Sequence, residues 1–344
     1  MVESSSNAGG QRHLTRLEDL DDAALEQVLR LAAELKRGAS RADLAGKSVG
    51  MLFFRGSLRT RISFEAAVHQ LGGHPHNLTA HSDFWELEEK EGRVMDGKAP
   101  EHVKDAARVL SEYLDVLAVR PALSGRTWSI DRQDAQMDAF RRYSEVPVIN
   151  LESALYHPLQ GLGDLVTWRE SFGDDLRGKR LCLTWVHSPE PASVAVTHSA
   201  LLAAARAGMD IRVAHPPGYD LDDQVVESAS SAAAAAGGQV RTGLSLEEGV
   251  QDAQVVYARS WRSLDEYDNP TLTASRRAKL AKWRLDEETM ACGNDARLMH
   301  AMPIRRNLEV SDEVLDGPRS LVIEQAANRL HATKALLLTL FGQG

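Results

Sequence analysis

The sequence predicts an α/β protein with two lobes, each a doubly wound parallel sheet covered by helices. Short apolar runs alternate with longer amphipathic segments along most of the chain, a pattern typical of parallel sheets. The runs form two series that are separated near residues 150–165. The chain has 344 residues, which exceeds the length of one ordinary domain.

The first series predicts three strands, and the second predicts four. The first three are SVGMLFF (48–54), VLAVR (116–120) and VPVIN (146–150). The other four are RLCLTWV (180–186), IRVAHP (211–216), VVYARS (255–260) and LMHAMP (298–303). The predicted helices between them include RISFEAAVHQLG, EHVKDAARVLSEYL, VAVTHSALLAAARAG and DDQVVESASSAAAAAG. ANRLHATKALLLTLFG is a strong terminal helix.

These patterns set the predicted domain boundaries. Residues 1–13 are polar and rich in glycine and serine, which predicts a disordered lead-in. The first lobe is predicted over 14–152 and the second over 153–325. Residues 326–344 are expected to form a helix that returns to the first lobe.

Composition and charge narrow the class of partner. The net charge of −9 argues against nucleic acid, because phosphate backbones favour basic surfaces. The two cysteines, Cys182 and Cys292, do not make a disulfide framework, which favours a reducing cytoplasm. No run approaches the roughly 18 apolar residues of a membrane span, and the N-terminus lacks the apolar core of a signal peptide.

Ligands of open parallel sheets bind where strands end and loops lead into helices. In FFRGSLRTRISFE (53–65), Ser57, Arg59, Thr60 and Arg61 crowd such a turn. Hydroxyls, guanidinium groups and N–H groups at a helix N-terminus can hold a phosphate. The alternative is an ordinary capped helix with solvated arginines. No Gly-rich loop with a Lys-Ser/Thr pair is present, which argues against nucleoside triphosphates.

Other polar groups also follow apolar runs. In YHPLQGLGDL, His157 and Gln160 lie side by side at a helix start and could bind one planar carbonyl-and-amine group, although a lone histidine is usually structural. Arg120 closes VLAVR, LMHAMPIRRN (298–307) carries two arginines, and Arg329 stands just before the predicted final helix. Any one arginine could be a surface residue, but several at strand ends favour a focused anion site.

Together these motifs resemble the aspartate and ornithine carbamoyltransferases. S-L-R-T-R-I-S-F-E is similar to their carbamoyl phosphate signature, S-T-R-T-R, and H-P-L-Q-G-L-G-D resembles H-P-x-Q-x-L-x-D. N-R-L-H-A-T-K-A resembles their C-terminal N-R-L-H-x-x-K, so the likeness runs from about residue 14 to the end. Leu58, where methionine is usual, is typical of the branch that acts on N-acylated ornithine; VMDGKAPEH, DLRGKRLCLTW and VVYARSW also resemble it.

The resemblance implies a carbamoyl phosphate lobe followed by an acceptor lobe, which the family can build with a knot. Arg120, His157 and Gln160 would be catalytic: the first two polarise the carbamoyl oxygen, and Gln160 orients the carbamoyl amine. The implied carbamoyl phosphate set is Ser57, Leu58, Arg59, Thr60, Trp85, Arg120, His157, Gln160, Met302 and Arg329. Trp85 matches an aromatic residue that reaches into the neighbouring subunit's site, which implies a homotrimer with shared sites. The chemistry needs neither metal nor cofactor.

The acceptor residues depart from the family pattern. The implied acceptor set is Pro100, Glu152, Arg259, Ala301, Met302 and Glu309. His300-Ala301-Met302-Pro303 replaces the H-C-L-P of ornithine-type enzymes, and Ala258-Arg259-Ser260-Trp261 replaces their D-x-x-x-S-M-G, which argues against free ornithine.

Further departures concern the acyl group. Acetylornithine enzymes have a lysine at Arg259, and a histidine and an asparagine at Ser188 and Ser193. Pro100 stands where a glutamate accompanies acetyl specificity, and succinyl-type enzymes have proline there. Glu309 stands where the branch has a lysine. Glu152 is offset by one residue from the expected glutamate.

The leading hypothesis is therefore an N-acylornithine carbamoyltransferase of arginine biosynthesis, with succinyl favoured over acetyl. One alternative is the same chemistry on another amine, such as free ornithine or an amine of specialised metabolism. A second alternative is a non-catalytic homologue that binds carbamoyl phosphate.

Overall fold

The computed structural model describes residues 13–342, apart from the side chain at position 270. Residues 1–12 of the predicted lead-in lie outside the described residues. The strands are β1 (Ser48–Phe53), β2 (His74–Thr79), β3 (Leu87–Glu88), β4 (Glu101–His102), β5 (Val116–Arg120), β6 (Val148–Asn150), β7 (Arg180–Trp185), β8 (Asp210–Ala214), β9 (Gln239–Leu244), β10 (Val255–Arg259) and β11 (Arg297–Met299).

The helices alternate with these strands, after a short 3-10 helix at Leu17–Asp19. They are α1 (Asp22–Lys36), α2 (Arg59–Gln70), α3 (Val103–Tyr113), α4 (Trp128–Asp131), α5 (Ala135–Tyr143), α6 (Pro158–Phe172), α7 (Ala195–Arg206), α8 (Asp223–Ala235), α9 (Leu246–Val250), α10 (Pro270–Ala278), α11 (Glu287–Ala291), α12 (Asp312–Leu315) and α13 (Val322–Leu340).

The chain divides into two compact units. The first unit contains the residues up to Ala122, Asp134–Ser153 and the residues from Thr333 onward. The second unit contains Leu123–Gln133 and Ala154–Ala332. Both units have parallel sheets with helices, so the predicted fold class is confirmed. The domain boundaries given in the sequence analysis stay predictions.

The sheet of the first unit has the strand order β2-β1-β5-β6, and every pairing is parallel. From β1 the chain goes to β2 on one side and later to β5 on the other, so the strand order reverses between β1 and β5. Phe53 at the end of β1 pairs with Arg120 at the end of β5. Because ligands bind at such a switch point, the predicted phosphate loop and Arg120 lie where this fold favours a site.

The sheet of the second unit repeats this arrangement with the order β11-β10-β7-β8-β9. The strand order reverses between β7 and β10, where Trp185 pairs with Arg259. All five residues of β10 are buried, as its nearly continuous apolar sequence predicts. The five residues of β8 are buried as well, although they include Asp210 and Arg212. The ends of β7 and β10 therefore mark the favoured ligand position of this unit.

Several predicted elements are corrected by the structure. The strands β2 and β9 were not predicted, because both are polar edge strands that lack a run of buried apolar residues. The final helix begins at Val322 rather than at 327, since the residues before Arg329 are good helix formers. Arg329 thus lies inside that helix and not just before it.

The predicted core cysteine, Cys182, is buried and Cys292 is exposed; neither is bridged. Within residues 13–342, no helix combines the length and the hydropathy that crossing a membrane requires.

Candidate active site

The predicted phosphate loop of the first unit leads from β1 into α2. The N-cap residue of α2 is Leu58, whose side chain makes no capping hydrogen bond and is 69% exposed. Asp, Asn, Ser or Thr is usual at this position, because their side chains accept from the first backbone N–H groups. A leucine supplies no such acceptor, so the positive end of the helix dipole stays available to an anion.

The second arginine of the motif has a different orientation. Arg61 donates to Asn77 Oδ1 at 2.6 Å and to Thr79 Oγ1 at 2.9 Å, both on β2. Its guanidinium lies 4.2 Å from the centre of the Phe53 ring. Arg61 therefore joins α2 to the sheet, whereas Ser57, Arg59 and Thr60 belong to the loop and the first turn.

Arg120 ends β5 and is buried. Its Nη1 lies 2.6 Å from Glu152 Oε2 and donates to the Leu151 carbonyl at 3.2 Å. Arg55 lies 3.4 Å from the other Glu152 oxygen and donates to the Glu152 carbonyl at 2.6 Å. Glu152 has φ of 125°, an unfavourable backbone angle for a residue other than glycine. The carboxylate of Glu152 is thus held between two guanidinium groups, and its predicted acceptor contact stays a prediction.

Trp85 and Pro100 lie in neighbouring loops of the first unit. The indole N–H of Trp85 donates to Glu101 Oε2 at 2.8 Å, and Pro100 immediately precedes that glutamate. The loops are joined because β3 pairs with β4. The Trp85 side chain is still 54% exposed, and Pro100 is exposed as well. The structure therefore brings together a predicted donor contact and the predicted acyl-selecting residue.

His157 of the second unit precedes α6 and is buried. Its backbone N–H donates to Ser199 Oγ at 2.7 Å, which fixes the start of the helix. Nη2 of Arg329 lies 3.4 Å from His157 Nε2. An arginine can only donate, so Nε2 is the acceptor and the neutral ring carries its proton on Nδ1. Gly163 permits this approach, since a Cβ there would lie 3.0 Å from Arg329 Cγ.

Gln160 lies one turn into α6 and is also buried. Its Nε2 donates to Asp164 Oδ1 at 2.9 Å, and Gln325 Nε2 donates to the same oxygen at 2.7 Å. Burial raises the pKa of Asp164 to about 7, although both amides, the Tyr257 hydroxyl and Arg329 oppose the shift. Neither Asp164 nor Gln325 was predicted as a site residue. The signal for Asp164 was its position in H-P-L-Q-G-L-G-D, four residues after Gln160 on the same helix face.

The predicted acceptor residues Arg259 and Met302 are in contact. Arg259 ends β10, is buried, and donates from Nη1 to the Met302 carbonyl at 3.2 Å. Met302 has φ of 52°, and both it and Ala301 are half-buried. Arg259 forms no ion pair with a carboxylate among the described residues. A buried guanidinium without a counter-ion is a natural partner for an anionic ligand.

Glu309 is buried and its carboxylate is bonded to His300, and its predicted acceptor contact stays a prediction. His300 Nε2 lies 3.0 Å from Glu309 Oε2, and His300 Nδ1 accepts from the Met302 N–H at 2.9 Å. Nδ1 therefore has no proton, and the neutral ring donates from Nε2. Burial opposes ionisation of Glu309, but the His300 and Ser188 hydrogen bonds and the charge of Arg259 outweigh it, so its pKa is lowered.

Arg277 is a second buried cation of this unit that was not predicted. Nε donates to the Ser188 carbonyl at 2.6 Å, Nη1 to the Trp261 carbonyl at 3.1 Å, and Nη2 to Ser260 Oγ. The guanidinium lies 4.9 Å from the Trp185 ring centre. It forms no ion pair among the described residues, and burial lowers its pKa. Arg277 thus ties together the segments that follow β7 and β10.

The two arginines of LMHAMPIRRN (298–307) form ion pairs at the surface. Arg305 lies 3.1 Å from Glu190, and Arg306 binds Asp312 and Asp316 at 2.7 Å. All are largely exposed. Arg306 therefore joins its loop to α12.

Family models account for most of the chain. The carbamoyl-P binding domain of aspartate/ornithine carbamoyltransferase matches residues 12–170, and the Asp/Orn binding domain matches residues 182–340. The N-acetylornithine carbamoyltransferase of Xanthomonas campestris pv. campestris is 39% identical over 96% of this chain and 98% of its own. The ornithine carbamoyltransferase of Methanoculleus marisnigri is 38% identical over 95% of this chain and 96% of its own length.

Solved structures show the same fold. A glutamate-to-proline mutant of N-acetyl-L-ornithine transcarbamylase, complexed with carbamyl phosphate and N-succinyl-L-norvaline, has a TM-score of 0.93. A lysine-to-glutamate mutant of that enzyme complexed with PALAO also has a TM-score of 0.93. Each is 39% identical to this chain and covers 95% of it and 99% of its own length. The chain belongs to the aspartate/ornithine carbamoyltransferase family and is a carbamoyltransferase. Among its relatives it resembles the N-acetylornithine branch.

Proposed function

We propose that this enzyme transfers the carbamoyl group of carbamoyl phosphate to the side-chain amine of an N-acylated ornithine. Succinyl is favoured over acetyl as the acyl group. The products are N-acylcitrulline and phosphate, and the reaction serves arginine biosynthesis. The observation that carries the acceptor assignment is the buried Arg259, which has no carboxylate partner among the described residues.

The donor roles follow the family motifs residue by residue. Ser57, Leu58, Arg59 and Thr60 hold the phosphate through hydroxyl, backbone and guanidinium groups, and Arg329 adds positive charge. Arg120 and His157 donate to the carbamoyl oxygen, for which the Nδ1 proton of His157 is suited. Gln160 accepts from the carbamoyl amine through Oε1, because its Nε2 is bound to Asp164.

The chemistry needs charge stabilisation and alignment. The acceptor nitrogen forms a bond to the carbamoyl carbon, the bond from that carbon to the phosphate oxygen breaks, and phosphate accepts the amine proton. Donors to the carbamoyl oxygen and cations at the phosphate stabilise the charge that develops. Holding the two substrates in line supplies much of the remaining acceleration.

The charges of the acceptor residues favour an additional carboxylate on the substrate. Arg259 and Arg277 are buried cations, while the buried carboxylate of Glu309 is bonded to His300. Pro100 stands where acetylornithine enzymes have a glutamate, so that negative charge is missing. A glutamate-to-proline mutant of N-acetyl-L-ornithine transcarbamylase is complexed with N-succinyl-L-norvaline, which supports the link between proline and a succinyl group.

Two alternatives differ in the acceptor or in activity. Ser188, Ser193 and Arg259 replace acceptor-side groups of the acetylornithine enzymes, and Ala301 replaces the cysteine of the ornithine-type enzymes. These changes favour another amine, and the ornithine carbamoyltransferase relatives make free ornithine a candidate. A catalytically silent binding protein would not need Arg120, His157 and Gln160 together, and this weighs against the second alternative.

A panel of amines tests the proposal. Purified enzyme receives carbamoyl phosphate with N-succinylornithine, N-acetylornithine, ornithine, a set of unrelated amines or no amine, and both phosphate and the carbamoylated amine are measured. We expect N-succinylornithine to give the highest kcat/KM, and Gln160→Ala to abolish turnover with every amine. Turnover of ornithine or an unrelated amine alone would establish the first alternative, and no turnover the second.

We further propose a homotrimer in which Trp85 completes the site of a neighbouring copy. Its half-exposed indole lies in a charged loop, where one chain gives it little apolar contact. Inactive Trp85→Ala and Arg59→Ala subunits should recover activity when mixed. As a control, Trp85→Ala mixed with the double variant Trp85→Ala/Arg59→Ala should stay inactive. A fully active monomer at micromolar concentration would contradict this assembly.

A further inference from the structure

A buried chain of hydrogen bonds links the donor motif to the acceptor motif of the second unit. The His300 N–H donates to Gln325 Oε1 at 2.8 Å, and Gln325 Nε2 donates to Asp164 Oδ1 at 2.7 Å. Gln160 Nε2 donates to the same oxygen at 2.9 Å. All four residues are at most 1% exposed. This chain of hydrogen bonds therefore runs from the loop that carries Ala301 and Met302 to the amide of Gln160, which is proposed to contact the carbamoyl group.

The direction of every bond in this chain depends on Asp164. A carboxylate only accepts, so each glutamine must turn its NH2 group toward Asp164. Gln325 then presents Oε1 to the His300 N–H, and Gln160 presents Oε1 away from Asp164. A carbonyl oxygen is the group that the carbamoyl amine, a donor, requires. The opposite orientation of Gln160 would place two donors against each other.

We propose that Asp164 is a positioning residue that sets the orientation of the Gln160 amide and, through Gln325, the start of the acceptor loop. This inference rests on the proposed function of Gln160. Asp164 touches no reacting atom: it acts on the donor through Gln160 and on the acceptor through Gln325 and His300. One buried carboxyl thus couples the two substrate-binding motifs of this unit.

The protonation of Asp164 is compatible with this role. Its Oδ2 accepts no hydrogen bond among the described residues, whereas Oδ1 accepts two. A proton on Oδ2 would leave both amide bonds in place. The titratable groups that face it are Tyr257 of β10 and Arg329 of α13. The orientation of Gln160 should therefore hold on both sides of neutral pH.

A double-mutant cycle tests the donor half, with carbamoyl phosphate binding measured by calorimetry without acceptor. Asp164→Ala should weaken binding at least tenfold in the parent. In a Gln160→Ala background it should change the affinity by less than threefold, because there is no amide left to orient. Asp164→Asn, whose amide oxygen can replace Oδ1, should recover most of the loss.

The acceptor half has its own cycle. Asp164→Ala and Gln325→Ala should each raise the KM of the acceptor, and together should raise it no further than the larger single effect. Thr167→Val is the matched control. Thr167 is buried on the same helix and donates to the Gly163 carbonyl, but it takes no part in the chain of hydrogen bonds that passes through Asp164. It should lower thermal stability and leave carbamoyl phosphate affinity unchanged.

Two results would overturn the inference. One is an Asp164→Ala affinity equal to that of the parent. The other is a loss that adds in full to that of Gln160→Ala, as general loosening of the fold would produce. If Gln160→Ala itself leaves binding and turnover unchanged, the proposed role of Gln160 is wrong, and this outcome is distinct from a failed cycle.

Discussion

Each unit ends a strand at its switch point with a buried arginine, and the two arginines are treated differently. Arg120 of the first unit is neutralised by Glu152 at 2.6 Å, with Arg55 on the other side of the carboxylate. Arg259 of the second unit donates to a backbone carbonyl and forms no ion pair among the described residues. Arg277 is likewise held by carbonyls and a hydroxyl.

We propose that this difference lets the same position in the two sheets serve two different substrates. A paired guanidinium has a fixed orientation and little net charge, which suits a neutral carbamoyl oxygen. A guanidinium held by neutral groups keeps its full charge, which suits a carboxylate. The second unit also keeps a buried carboxyl, Asp164, among amides rather than cations. Its site residues thus rely on neutral hydrogen-bond partners where the first unit uses opposite charges.

The largest expected effect comes from breaking the pair in the first unit. Glu152→Gln removes the carboxylate charge that lies 2.6 Å from the buried Arg120, which should destabilise the fold by about 3–5 kcal/mol. Arg259→Met removes a cation that has no such pair and should leave stability unchanged or raised. Urea denaturation of both variants measures the contrast. Equal losses would show that the two arginines contribute to folding in the same way.

The buried carboxyl of the second unit should make stability depend on pH. The pKa of Asp164 is raised from 3.8 to about 7, so its contribution is fully present below pH 3.8 and is lost as pH rises through 7. Asp164→Asn removes this loss. Relative to the parent, the variant should gain at most about 4 kcal/mol between pH 4 and pH 8, at ~1.36 kcal/mol per pKa unit.

Denaturation at several pH values checks this gain, and Thr167→Val serves as the control. The control should lose the same stability at every pH. A difference between Asp164→Asn and the parent that does not change with pH would mean that the carboxyl does not titrate in this range.

The phosphate loop gives a smaller effect that concerns binding alone. Arg59→Ala should weaken carbamoyl phosphate by at least about 1.5–3 kcal/mol, the contribution of a charge-assisted hydrogen bond. Arg61→Gln is the matched control from the same motif, because Arg61 is bound to Asn77 and Thr79. Calorimetry should show that the control keeps its affinity. Equal affinities of Arg59→Ala and the parent would remove the loop from the donor site.

Contiguous motifs mark the proposed donor residues in the sequence, but no such motif marks the buried network around them. Ser57, Arg120 and His157 follow strands or begin helices, and contiguous motifs mark them. Asp164 and Gln325 are 161 residues apart, and Arg277 is 89 residues from Ser188, so no local pattern joins these pairs.

The same limit applies to the fold. Buried central strands such as β5 and β10 have continuous apolar sequences, which is why they were predicted. The edge strands β2 and β9 are polar and lack a run of buried residues, so they lack this signal.

The sequence also could not show which group the carboxylate of Glu309 binds. Its predicted contact with the acceptor stays a prediction, and the structure shows its carboxylate bonded to His300.

The smallest expected effect comes from Pro100 and tests whether the charges of the acceptor residues select the acyl group. Pro100 is exposed and carries no charge, so Pro100→Glu adds a carboxylate without removing a buried contact. If a succinyl carboxylate lies nearby, the like charges should disfavour succinylornithine relative to acetylornithine by about 1–3 kcal/mol at intermediate dielectric. Pro100→Gln is the matched control, of similar size and uncharged, and should change the ratio of the two kcat/KM values much less. The ratio should recover partly at high salt, since the site is accessible and screening weakens the repulsion.

An unchanged ratio in Pro100→Glu would leave Arg259 as the remaining source of acyl selectivity. Arg259→Lys then decides the matter, because a lysine cannot bind a carboxylate through two parallel hydrogen bonds.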